Sequence, residues 1–129
     1  MIVDSSAIIA ILLREPGWEE LVAKLGAREA AAAVAAPTLA EAGLVLTAKI
    51  GRKGSMVLAQ FLQEADLEVI PFAAEHWRVA VDAYARFGKG RHAAALNFGD
   101  CLTYAVARLA AQPLLFVGRD FTRTDIEQA

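Results

Sequence analysis

Apolar residues along the chain change their spacing several times, and each change marks a boundary between elements. Met1 to Val3 form a short β-prone run closed by Asp4, after which Ile8, Ile9, Leu12 and Leu13 recur at helical spacing with Ser5 or Ser6 placed to cap the helix. Glu15-Pro16-Gly17 interrupts that helix. The next is expected from Trp18 to Gly26, with Leu21, Val22 and Leu25 facing inward, so that the two helices form a hairpin. Residues 29–36 are nearly all alanine and suit a helix by propensity, yet Pro37 pushes its predecessor towards extended geometry and leaves room for a short strand at Ala33 to Ala36. Pro37 also suits the first turn of a helix running to Ile50, in which Leu39, Gly43, Leu46 and Ile50 share a face, Glu41 sits early, and Gly51 ends the run.

A further amphipathic helix from Ser55 to Ala65 leads into the strand LEVIP, and a long helix follows from about Ala73 to Phe87. Beyond the loop GKGRHAAALNFG, residues 99–111 put Leu102, Ala105, Val106 and Leu109 on one helical stripe, and PLLFV supplies the last strand. Strands separated by helices imply a parallel sheet covered on both faces. The expected fold is therefore α/β, a three-layer α/β/α sandwich, with residues 1–129 as a single domain and ligands gathered at the carboxyl ends of the strands. No repeat, low-complexity segment or linker interrupts it.

Composition narrows the partners. With 57% hydrophobic and 22% charged residues the chain can bury a sizeable core, and its net charge of -2 excludes a globally polybasic nucleic-acid binder. Local basic groups remain, one at Arg78, Arg86, Lys89 and Arg91 with only Asp82 opposing, another at Lys49, Arg52 and Lys53; each reads equally well as a solvated helix end or turn. The opening MIVDSSAIIAILL lacks a basic start and carries Asp4, which fits neither a signal peptide nor a membrane span, so a cytoplasmic protein without membrane contact is expected. One cysteine, Cys101, rules out an intramolecular disulfide and a thiolate zinc cage, and reads as a small buried hydrophobe.

Four acids fall where a parallel sheet gathers ligands: Asp4 ends the first strand, Glu41 lies early in a helix, Asp100 opens a helix and Asp120 follows the last strand. Carboxylates brought together raise one another's pKa, and a cluster that stays ionised needs a cation; oxygen ligands select magnesium or manganese. Each acid also has a plainer reading. Asp4 and Asp100 are well placed as helix caps, Asp120 beside Arg119 could be a surface ion pair, and Glu41 is informative only if buried.

Four segments taken together, MIVDSSAIIAIL, PTLAEAGLVL, GKGRHAAALNFGDCLTYAVA and LLFVGRDFTRTDI, resemble the VapC-type PIN-domain ribonucleases across nearly the whole chain and in the same order. RHAAALNFGDCLTYA is the most specific of them. The resemblance implies a magnesium-dependent endoribonuclease, the toxin of a type II toxin-antitoxin pair, that cuts structured cellular RNA such as tRNA or rRNA and leaves a 3' hydroxyl. It matches Asp4 and Asp100 to the family's metal-binding aspartates and Glu41 to the acid on the helix after the second strand; the fourth acid falls on Asp120 or, since the stretch reads GRDF, on Asp125. It further implies a homodimer and a cognate antitoxin whose extended tail crosses the helices and blocks the acidic pocket.

Around these acids, Lys89, Arg91 and His92 in the glycine-rich loop are candidates for phosphate contacts, with His92 as suited to fixing the loop. Ser6 could orient a ligand water, although a helix cap is the better reading, and Asn97 suits a turn more than a supporting role at the metal. Gly88 and Gly90 lack a Walker A context and give no sign of ATP. Trp18, Trp77 and Tyr104 read as core or interface rather than base-stacking platforms. Other acidic-pocket folds fit less well: a haloacid dehalogenase phosphatase wants an Asp where Ser6 stands, and a receiver-like domain lacks its adjacent acids. A PIN-like module that binds RNA or protein without cutting remains an alternative.

Overall fold

The computed structural model describes all 129 residues. Four short strands, β1 (Ile2–Val3), β2 (Ala32–Ala35), β3 (Leu67–Ile70) and β4 (Leu114–Leu115), form one sheet in the order β3-β2-β1-β4, every pairing parallel. The connections are helical: α1 (Ser5–Leu12), α2 (Trp18–Gly26), α3 (Ala36–Ile50), α4 (Lys53–Glu64), α5 (His76–Phe87) and α6 (Phe98–Ala110), with a single 3-10 turn at Phe121–Arg123. Side chains of adjacent strand residues point to opposite faces, and the two resulting cores follow that rule. Val3, Val34 and Leu115 pack with Ile8, Leu21, Leu46 and Phe61 beneath α1–α4. Ile2, Ala35 and Leu114 pack with Ala83, Tyr104 and Val106 beneath α5 and α6. The expected three-layer sandwich with a parallel sheet is thus the fold found.

Why alanine makes β2 is a matter of burial. All four residues of the strand are buried, with β1 on one side, β3 on the other and helices over both faces, so pairing and burial rather than local propensity decide its conformation. Tertiary context overrides the helix propensity of alanine here. The strand lies one residue earlier than expected, and Pro37 stands within the first turn of α3. Helix α5 starts at His76 rather than Ala73, because the His76 imidazole Nδ1 accepts the Ala73 backbone N–H at 2.9 Å and holds 73–76 as a turn.

Three inward stripes shift. Val22 and Leu109 are exposed rather than buried, and α3 buries Thr38, Ala42 and Leu46, a face offset from the Leu39–Gly43 line. Of the residues placed to cap α1, Asp4 and not Ser5 or Ser6 is the N-cap, its carboxylate accepting the Ser6 N–H at 3.0 Å. No helix is long and apolar enough to cross a membrane.

Candidate active site

Strand β1 delivers Asp4 to the carboxyl end of the sheet, where it is 4% exposed. A buried carboxylate needs hydrogen bonds, and Ser6 supplies them through both its N–H and its hydroxyl. The same Ser6 Oγ accepts the Val117 N–H at 3.0 Å, tying the end of β4 to the end of β1. Ser6 is therefore neither the cap of α1 nor a free group; it orients Asp4 and joins two strands.

Asp100 is set by the start of α6. The Asn97 side chain accepts the Asp100 N–H at 2.9 Å while Asp100 Oδ2 accepts the Asn97 N–H at 2.9 Å, a reciprocal capping box. Asn97 thus does more than turn the chain: it fixes one oxygen of Asp100 and leaves the other free. Burial pushes the Asp100 carboxyl up to about 6; the Asn97 hydrogen bond opposes the shift, and the charges of Asp4, Asp120 and Glu41 add to it. All three other acids therefore lie within electrostatic reach of Asp100.

Glu41, on the first turns of α3, is held by the Ser5 hydroxyl, which donates to Oε1, and its Oε2 rests on the backbone of Gly99, where a Cβ would overlap it. Ser5 was not singled out in the sequence beyond capping; the signal was its place next to an acid at a strand end. Asp120 is exposed and makes no capping hydrogen bond. Asp125 is committed elsewhere: it accepts Tyr104 Oη at 2.7 Å and Arg86 at 3.0 Å, and these partners hold it below the usual carboxylate range despite its partial burial. Between the two candidates for fourth acid, Asp120 is the one whose charge acts on Asp100.

The basic candidates divide. Lys89 and Arg91 are exposed in the loop before α6, with the Arg91 guanidinium 5.5 Å from the Tyr84 ring centroid. His92 fixes that loop, its Nδ1 accepting the Ala94 N–H at 3.0 Å and its ring meeting Phe87 edge-on at 5.3 Å. Arg86 belongs to the Asp82 and Asp125 ion pairs. An apolar groove of about 520 Å³ carries none of the acids; it lies between α5 and α6, lined by residues such as Trp77, Val81, Tyr84 and Phe98.

Asp4 is buried, Asp100 and Glu41 are partly buried and Asp120 is exposed, and carboxylates of this kind are the hard oxygen ligands a divalent cation takes; Gly99 lets the Glu41 carboxylate lie against its backbone, where a Cβ would overlap it. Asp4, Asp100, Glu41 and Asp120 are the residues that could hold the ion. No three of them stand together as a ready ligand set.

A parallel α/β/α sandwich with carboxylates at its strand ends is the architecture of a PIN domain, and the family profile described as PIN domain matches residues 1–127. Ribonuclease VapC36 of Mycobacterium tuberculosis is 47% identical over 127 residues, spanning 98% of this chain and 91% of that protein. Ribonuclease VapC of Mycolicibacterium smegmatis is 37% identical over 126 residues, spanning 98% and 97%. The crystal structure of M. tuberculosis VapC20, described as a sarcin-ricin loop cleaving toxin, superposes with a TM-score of 0.81 at 16% identity over 99% of this chain and 97% of that one. VapBC2 from Rickettsia felis, solved bound to a DNA fragment from its promoter, gives a TM-score of 0.77 at 17% identity over 98% and 94%. The chain belongs to the VapC ribonucleases of the PIN-domain family.

Proposed function

We propose that this protein is a magnesium-dependent endoribonuclease, the toxin of a type II toxin-antitoxin pair, acting on structured cellular RNA such as tRNA or rRNA. The observation that carries the reading is the electrostatic coupling of Asp4, Glu41 and Asp120 to a half-buried Asp100 at the start of α6, in a chain of this family.

Asp4 and Asp100 would hold the ion, with Glu41 and Asp120 as further oxygen ligands, and manganese would fit the same oxygens. When bound, the ion supplies positive charge that offsets the charge developing on the phosphodiester and favours ionisation of water. The chain's own part is positional. Ser6 and Asn97 fix Asp4 and Asp100, Ser5 fixes Glu41, and these contacts are in place before substrate arrives. Lys89 and Arg91 sit on the loop leading into α6 and bind flanking phosphates; His92 shapes that loop.

An antitoxin partner is supported by the solved relatives: VapBC2 of Rickettsia felis and a toxin-antitoxin complex from Klebsiella pneumoniae share the fold. A homodimer is supported by the exposed apolar face of α5 and α6. A second reading, a module that binds RNA or protein without cutting, is favoured by one feature, the failure of any three acids to converge.

Cleavage of a mixed tRNA and rRNA pool by antitoxin-free protein separates the two. Discrete cuts with magnesium, lost with chelator and in Asp100→Asn but retained in Asp125→Asn, are expected. Binding of RNA with no metal-dependent cut would leave the non-catalytic reading standing.

A further inference from the structure

Two contacts join α3 to α6, and the candidate acids stand beside both. Inside the fold the hydroxyls of Thr38 and Thr103 share a hydrogen bond of 2.7 Å, the residues being 3% and 1% exposed. Glu41 lies three residues after Thr38 on α3, and Asp100 three residues before Thr103 on α6. Residues three apart on a helix share a face one turn apart, so each acid stands one turn from the hydroxyl pair. The second contact is Gly99 against Glu41: a Cβ at Gly99 would overlap Oε2 and come within 3.0 Å of Cδ. Passing from the first contact to the second moves forward along α3 and backward along α6, so the two fix one interface at two points, with the Glu41 and Asp100 carboxylates at its open end.

Separating a hydroxyl pair sealed from water leaves the Thr38 hydroxyl without a partner and sends that of Thr103 back to its own helix, so burial favours the paired geometry. A glycine without Cβ sets how closely the facing carboxylate approaches. We propose that Thr38, Thr103 and Gly99 are positioning residues: the hydroxyl pair fixes the lie of α3 on α6, and Gly99 admits the Glu41 carboxylate to the side of Asp100. None of the three touches substrate. They act through Glu41 and Asp100, and the proposal rests on reading those acids as a divalent-ion site.

The test measures Mn2+ affinity by calorimetry, RNA cleavage, and melting of the metal-free protein. Thr103→Val, which keeps shape but not the hydroxyl, should bind Mn2+ about tenfold more weakly, and Thr103→Ser should restore wild-type affinity and cleavage. If Thr103→Val does not fold, Thr38→Val/Thr103→Val replaces both hydroxyls by apolar isosteres and carries the same expectation. Alanine favours a helix over glycine, so Gly99→Ala would raise the melting temperature if space were available. It should instead lower it, and adding Glu41→Ala should reverse the loss. Unchanged Mn2+ affinity in the valine variants, or a Gly99→Ala effect indifferent to Glu41, overturns the proposal. Wild-type protein that neither takes up Mn2+ nor cuts RNA overturns the metal-site reading instead, and the Gly99 and Glu41 melting comparison still decides the close approach on its own.

Discussion

Asp100 shows how a single residue carries both cost and function. Its carboxyl sits at about 6 in the folded chain against an ordinary 3.8, chiefly through burial. Between those two values the folded protein keeps a proton that the unfolded chain has released, so stability falls as pH rises through that window and stays at the lower level above it. Metal-free Asp100→Asn should therefore unfold at a higher denaturant midpoint than wild type at pH 7.5, by about 1 kcal/mol once the shift is discounted for the site's partial exposure, and the gain should vanish near pH 4. Equal midpoints at both pH values would mean that burial does not penalise the Asp100 carboxylate. The positions of Asp4, Glu41 and Asp100 were legible because acids at strand ends and helix starts stand out in a sequence. What Ser5 and Ser6 do was not, since Asp4, Ser5 and Ser6 all read as possible caps and only the folded chain shows that Asp4 takes that role while the serines hold Glu41 and Asp4.

At the level of elements, α6 is the piece whose start decides the site. Asn97 and Asp100 satisfy each other's backbone N–H groups, so Asn97→Ala should cost about 1 kcal/mol in chemical denaturation and also loosen Asp100, lowering cleavage more than the stability loss alone accounts for. The order of elements was legible throughout: the span Trp18–Gly26 follows from Pro16-Gly17 on one side and the last apolar position on the other. Boundaries failed where a side chain competes with the backbone, as His76 does in delaying α5. The inward face of α3 was misread because Thr38 looks polar in sequence, and only its pairing with Thr103 makes it a core residue.

On the scale of the whole molecule, the face of α5 and α6 is out of keeping with a solitary protein. Trp77 is 52% exposed, Val81 60% and Phe98 80%, around one apolar groove, and contiguous apolar surface of this kind marks contact with another protein. Light scattering should give a dimer mass for the wild type and a monomer mass for Val81→Glu, with the fold intact by circular dichroism; a monomeric wild type would assign the face to another partner. Topology adds a constraint of a different sort. The strand made first, β1, is flanked in the sheet by β4, which comes near the end of the chain, with Ile2 paired to Leu114. Asp4 thus leaves the ribosome early but waits for Asp100 and Asp120, and for the Val117 N–H that anchors Ser6. Such end-to-end pairing closes late in folding. The acids early in the chain, Asp4 and Glu41, therefore have no common site to serve until β4 has docked on β1, and the acidic cluster is among the last parts of the fold to be assembled.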